Sequence, residues 1–160
     1  FVHLNKKIEK NIFNKDIDCL FTGQLTRHRK KMLDSLTKSG LIVQHFDYLN
    51  ENDRRKLHER SKIYLDLKKF SKISVPVGTR AWYCLENGFF IVNEDAHFKN
   101  SLYKYTMNVP TNEFVSKIKE IINNYEYYEE IFKKKLNEYK NDNIHNNAHI
   151  KKIIKAILSS

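Results

Sequence analysis

The sequence predicts an α/β fold: a Rossmann-like open parallel sheet of about five strands with helices on both faces, extended by carboxyl-terminal helices. Two observations carry that expectation. Short apolar runs at 18–22, 41–46, 63–67 and 89–93 alternate with helix-length segments, and parallel neighbours need crossovers of that length. Glycines at 23, 40 and 88 fall at the junctions, where the chain changes course.

Each element has its own warrant. Residues 1–17 alternate lysine, asparagine and isolated apolar positions, and read as a linker or connecting segment. Asp18 to Thr22 is a short buried strand ended by Gly23. From Arg27 to Ser39, Met32, Leu33 and Leu36 recur at helical spacing, and Gly40 stops the helix. Leu41 to Phe46 is the second strand, a polar helix follows near Glu51 to Ser61, and Ile63 to Leu67 is the third strand. A loop from Ser74 leads into a helix from about Thr79 to Asn87, and Phe89 to Asn93 forms the fourth strand. Tyr105 to Val109 is a short fifth. This core, 18–110, is completed by 111–160 within the same domain.

Beyond Pro110 the period changes. Thr111 is placed as a helix cap, and Phe114, Ile118, Ile121, Tyr125, Tyr128, Phe132, Leu136 and Tyr139 form a core-facing stripe spaced by threes and fours. Asn123-Asn124 is expected to split the stripe into two helices. A polar joint at Asn141 to Asn147 precedes a last amphipathic helix carrying Ile150, Ile153, Ile154 and Ile157.

At 160 residues the chain suits one domain, or one lobe of a larger enzyme. No apolar run approaches the roughly 20 residues that span a bilayer. Cys19 and Cys84 are too isolated for a disulfide framework and are expected as reduced, buried thiols of a cytoplasmic protein. The formal charge of +10 predicts attraction to anions, with nucleic acid, anionic lipid and nucleotide diphosphates all qualifying. Most basic groups are interleaved with acids or sit at helical spacing, the pattern of solvated faces. The densest, Arg27-His28-Arg29-Lys30-Lys31, instead follows a glycine turn.

Ligands of open parallel sheets bind beyond the carboxyl ends of the strands. Two loops there have phosphate-binding anatomy: Thr22-Gly23-Gln24-Leu25-Thr26-Arg27 after the first strand, and Ser74 to Arg80, ending in Gly78-Thr79-Arg80, after the third. Glycine admits a phosphate close to the backbone, a helix amino terminus offers N–H groups, and arginine adds a bidentate donor. Neither loop is a dinucleotide fingerprint or a Walker motif. Glu94-Asp95, at the end of the fourth strand, could accept sugar or ribose hydroxyls or cap the next turn. His145 and His149 stand four apart with no third metal ligand nearby, so no metal and no cofactor is expected. No serine elbow or cysteine-histidine arrangement is present, and no catalytic residue is assigned.

Phe21-Thr22-Gly23 followed by Arg27 or Arg29, the run Arg80-Ala-Trp-Tyr-Cys-Leu-Glu-Asn-Gly88 before the strand Phe89 to Val92, and the helical ending Glu113 to Leu158 with its His-containing joint carry a family resemblance. From Asp18 onward the order of parts resembles the carboxyl-terminal, donor-binding half of GT-B glycosyltransferases of the glycosyl transferases group 1 and spore-maturation-protein-like kind. The resemblance implies a lobe that binds a nucleotide-diphosphate sugar such as a UDP-sugar. Gly23, Gln24, Arg27, Arg29, Gly78, Thr79, Arg80, Tyr83 and Glu94 would line the donor site, with Lys30 behind the arginines. Trp82, Cys84 and Leu85 would pack the Arg80 helix on the sheet. A separate amino-terminal lobe would bind an unknown acceptor and supply any base, in a cytoplasmic protein. The helix Lys151 to Leu158 reads first as a solvated helix packed on the domain and, as the alternative, as a peripheral contact with the inner face of the membrane.

One departure stands out. Many relatives carry glutamate three residues after this arginine, and this chain has Tyr83. Two alternatives therefore stand beside the donor lobe: a non-catalytic basic module for nucleic acid or anionic surfaces, and a degenerate glycosyltransferase lobe that holds no nucleotide.

Overall fold

The computed structural model describes residues 15–70, 78–95 and 100–158, with side chains as far as Asn143. Five parallel strands form one open sheet in the order β2-β1-β3-β4-β5: β1 (Ile17–Thr22), β2 (Val43–Phe46), β3 (Ser61–Asp66), β4 (Ile91–Glu94) and β5 (Met107–Val109). The helices between and after them are α1 (Arg27–Lys38), α2 (Glu51–Arg60), α3 (Gly78–Asn87), α4 (Phe114–Asn123) and α5 (Tyr125–Leu158). The α/β class, the parallel sheet and its strand order along the chain match the sequence expectation.

Local chemistry fixes the helix ends. Thr26 caps α1 by accepting from the Arg29 amide at 3.4 Å, and Asn50 caps α2 by accepting from the Asp53 amide at 2.9 Å. At the end of α3, Gly88 has φ of 71° and Phe89 N–H closes back on the Cys84 carbonyl at 2.8 Å. That left-handed turn suits glycine.

Strands buried on both faces are built on near-continuous apolar runs. Leu20 and Phe21 of β1, Ile63 and Leu65 of β3, and Ile91 and Val92 of β4 are all 0–1% exposed. Leu33 and Leu36 of α1 pack there too, and α1 lies against α4 with its Phe114 and Ile118. On α3, Ala81, Cys84 and Leu85 face the sheet. Each fully buried aliphatic or aromatic side chain of this kind stabilises the fold by about 1.5–3 kcal/mol. Both cysteines are free and buried, and burial pushes their thiols well up.

Several boundaries differ from expectation, each for a physical reason. β1 begins at Ile17, one residue inside the expected linker, because Ile17 pairs with Ser61 and is fully buried. β2 begins only at Val43; Ile42 lends its carbonyl to the Asp18 and Cys19 amides ahead of the paired stretch. Tyr103–Tyr105 is a 3₁₀ turn, which shortens β5 to Met107–Val109. Thr111 does not cap α4: its hydroxyl donates to Glu94, and a 3₁₀ turn at Thr111–Glu113 leads into the helix instead. The break at Asn124 is present. The polar joint at 141–147 is not, since α5 runs through it; it contains no glycine or proline, and Asn, Asp and His each cost a helix at most about 0.7 kcal/mol. Trp82 is 54% exposed and does not pack α3 on the sheet.

Candidate functional site

The strand order places a topological switch between β1 and β3, where the connections leave in opposite directions and open a crevice at the carboxyl edge. A cleft of about 260 Å³ occupies that place. Thr22 and Gly23 end β1 on one side, and Thr79, Arg80 and Tyr83 of α3 stand on the other. Asp47 to Leu49 after β2, with Arg54 and His58 of α2, close the flank, and Tyr64 of β3 lies at the base.

Gly23 and Arg80, 57 positions apart (80 minus 23), touch in the cleft wall. Gly23 has φ of 130°, and a Cβ built on it would lie 2.5 Å from Arg80 Nη2. Glycine is therefore required twice, by backbone conformation and by this approach. Its own amide donates to the Phe46 carbonyl at 2.8 Å and its carbonyl accepts from His45 at 2.8 Å, so the turn is fixed in the sheet. Arg80 Nη1 donates to buried Asp66 at 2.8 Å, and its guanidinium lies 5.4 Å from the Phe21 ring centre. These contacts hold the head group rigidly. Gly23→Ala is expected to destabilise the fold by about 1–3 kcal/mol through the left-handed backbone and to displace Arg80, which urea denaturation will measure.

The cleft base is uncharged. Tyr64 bonds to the Thr22 hydroxyl, and burial pushes its phenol up to about 12. His58 stacks on Phe89 and Tyr64, with ring centres 4.5 and 4.6 Å away, and burial together with the Arg54 charge pushes its imidazole down to about 3. Tyr83 packs against His58 at 5.4 Å, and burial raises its phenol. The walls carry the guanidiniums of Arg54 and Arg80 and the carboxylate of exposed Asp47, and buried Asp66 pairs with Arg80 from behind.

Of the nine expected donor residues, Gly23, Thr79, Arg80 and Tyr83 line the cleft. Gln24 and Arg27 are exposed outside it, as is Lys30. Gly78 opens α3 beside Asn100, whose Nδ2 would lie 3.3 Å from an added Cβ. Residues 74–77 of the second loop, and the side chains of His145, His149 and Lys151 to Leu158, lie outside the described set.

Arg29 and Glu94 depart from their expected roles. Arg29 is 4% exposed and clamps backbone carbonyls: Leu67 at 3.0 and 3.2 Å, Lys68 at 3.2 Å and Gln24 at 3.0 Å. It ties the end of the first loop to the chain that leaves β3. The Glu94 side chain is fully buried. It accepts from His28 Nε2 at 2.8 and 2.9 Å, the Lys68 amide at 3.0 Å and the Thr111 hydroxyl at 2.8 Å, with Lys68 Nζ 3.5 Å away. Its oxygens are occupied by the protein itself. Asp95, beside it, accepts from the Tyr103 hydroxyl.

Comparison of the chain with protein-family models, curated proteins and solved structures finds no match. The cleft itself is what points to a function. Among the described residues, no group of three or more His, Cys, Asp or Glu could hold a metal ion, and no helix is long and apolar enough to cross a membrane. Sequence reasoning missed Tyr48, Arg54, His58 and Tyr64. Arg54 and His58 carried a usable signal, a spacing of four within a helix beside the sheet, which puts both on one face.

Proposed function

We propose that the chain is the donor-binding lobe of a GT-B-type glycosyltransferase, and that the cleft between β1 and β3 holds a nucleotide-diphosphate sugar. The observation that carries this reading is the meeting of Gly23 and Arg80 in the wall of a switch-point cleft. When the bond between the sugar carbon and the outer phosphate oxygen breaks, that oxygen gains negative charge. A guanidinium already fixed by Asp66 stabilises it without reorganising. The acceptor hydroxyl attacks the sugar carbon and gives its proton to a base. Acceptor and base belong to a second lobe in this reading, so the cleft alone binds donor without turnover.

The test is calorimetric titration with UDP, GDP, CDP and ADP and their sugar conjugates at two salt concentrations. One-to-one binding that is selective for the base and persists in added salt supports a donor lobe. Binding that ignores the base and collapses with salt belongs to a phosphate-backbone surface, and sinks the proposal. Arg80→Met is expected to weaken nucleotide-diphosphate binding about 10- to 100-fold, the size of losing a charge-assisted pair; unchanged affinity contradicts the assignment.

A second reading, a degenerate lobe that binds no nucleotide, has one observation in its favour. Tyr83, where the resemblance expects a hydroxyl-binding glutamate, is packed among His58, Phe89 and Arg54. A complete absence of nucleotide binding in the same titration selects it.

A further inference from the structure

Arg54 is not among the donor-site residues that the sequence suggests. It stands on α2, one turn before His58, and lines the same cleft as Arg80. Its Nη2 donates to the Leu49 carbonyl at 3.1 Å, and its guanidinium carbon lies 5.5 Å from the Tyr83 ring centre. The head group is thus held in place by two cleft residues. Its Nε–H is buried and has no hydrogen-bond partner.

Other arginines differ. Arg55 pairs with Glu59, Arg60 with Asp16 and Arg80 with Asp66, and Arg29 is spent on carbonyls. Arg54 makes no ion pair among the described residues. A fixed guanidinium with no carboxylate partner among the described residues is matched to phosphate geometry.

We infer that Arg54 and Arg80 form a two-sided anion clamp, in which α2 supplies the second guanidinium for a phosphate or diphosphate group bound in the cleft. The clamp rests on the donor reading only for what is attached to the phosphate, not for the anion itself. Both residues line one cavity of about 260 Å³, the size that lets a single bound group meet two side chains. The neutral base formed by His58 and Tyr64 adds no competing charge, which leaves the guanidiniums to select the ligand.

The experiment titrates the 160-residue protein with inorganic pyrophosphate and with the four nucleoside diphosphates, using wild type, Arg54→Met, Arg54→Lys and Arg80→Met. Arg55→Met, the solvent-facing neighbour on α2, is the control. Thermal melts establish that each variant is folded. The clamp predicts one-to-one pyrophosphate binding, weakened at least tenfold by Arg54→Met and by Arg80→Met and unaltered by Arg55→Met. Arg54→Lys, which keeps the charge but loses the fork, is expected to bind several-fold more weakly than wild type and serves alone if the methionine variant fails to fold.

Nucleoside-diphosphate binding that neither Arg54 variant weakens overturns the clamp and leaves the donor reading standing. Pyrophosphate binding weakened at Arg54, without any preference among the nucleotides, supports the clamp and overturns the donor reading. No binding of either ligand by wild type overturns both.

Discussion

Glu94→Ala is expected to lower the stability of this fold by about 3–5 kcal/mol, the cost of breaking a buried charge cluster from one side. Glu94 is the one acceptor around which His28, the Lys68 amide and ammonium and Thr111 are arranged. Removing it leaves Lys68, whose side chain is 7% exposed, beside a cavity with no compensating carboxylate. The damage extends to the cleft, because His28 belongs to the first turn of α1 and Lys68 follows β3, whose loop Arg29 clamps. Glu94→Gln, which keeps the shape and an acceptor, is expected to cost less than Glu94→Ala. Urea denaturation measures both; a loss under about 1 kcal/mol for Glu94→Ala contradicts the cluster's structural role.

Acidification is expected to destabilise the native chain through His58. Its folded pKa of about 3 lies below the ordinary 6.5, so in acid the unfolded chain takes up a proton that the native imidazole refuses. Stability from this group is complete above pH 6.5 and falls as the pH drops toward 3. The full effect is on the order of 5 kcal/mol, because each pH unit separating the folded and unfolded pKa is worth roughly 1.4 kcal/mol. Carboxylates also titrate in this range, so the measurement is a comparison. His58→Phe keeps an aromatic ring against Phe89 and Tyr64 and removes the proton. Denaturation of both proteins between pH 7 and 4 should show the wild type losing more stability than the variant, and parallel curves would contradict the assignment.

Much of the architecture was legible in the residues because parallel strands announce themselves twice, as apolar runs and as glycine-marked junctions. Boundaries were less legible. Ile42 and Phe90 are apolar enough for a strand but serve as carbonyl acceptors ahead of the paired stretch, a role set by the neighbouring strand. Thr111 has the chemistry of a cap, yet Glu94 claims its hydroxyl across 17 positions.

At the cleft, Gly23, Thr79 and Arg80 could be placed because the carboxyl ends of β1 and β3 flank the switch, and Tyr83 through the family resemblance alone. Arg29 and Glu94 could not, since a charged residue near a rim reads alike whether it meets solvent, a ligand or buried backbone. Arg54 shares a helix face with His58, but the polar composition of α2 suggested only a solvated face, and the fold was needed to bring it into the same cleft as Arg80.

The most direct test of the central claim is amide chemical-shift mapping of the protein with a saturating nucleoside diphosphate. The account predicts that the large shifts cluster at Gly23, Tyr48, Arg54, Thr79 and Tyr83, around the crevice between β1 and β3. Shifts spread instead over the basic stretches at 27–31 and 133–135, or no shifts at all, would contradict it.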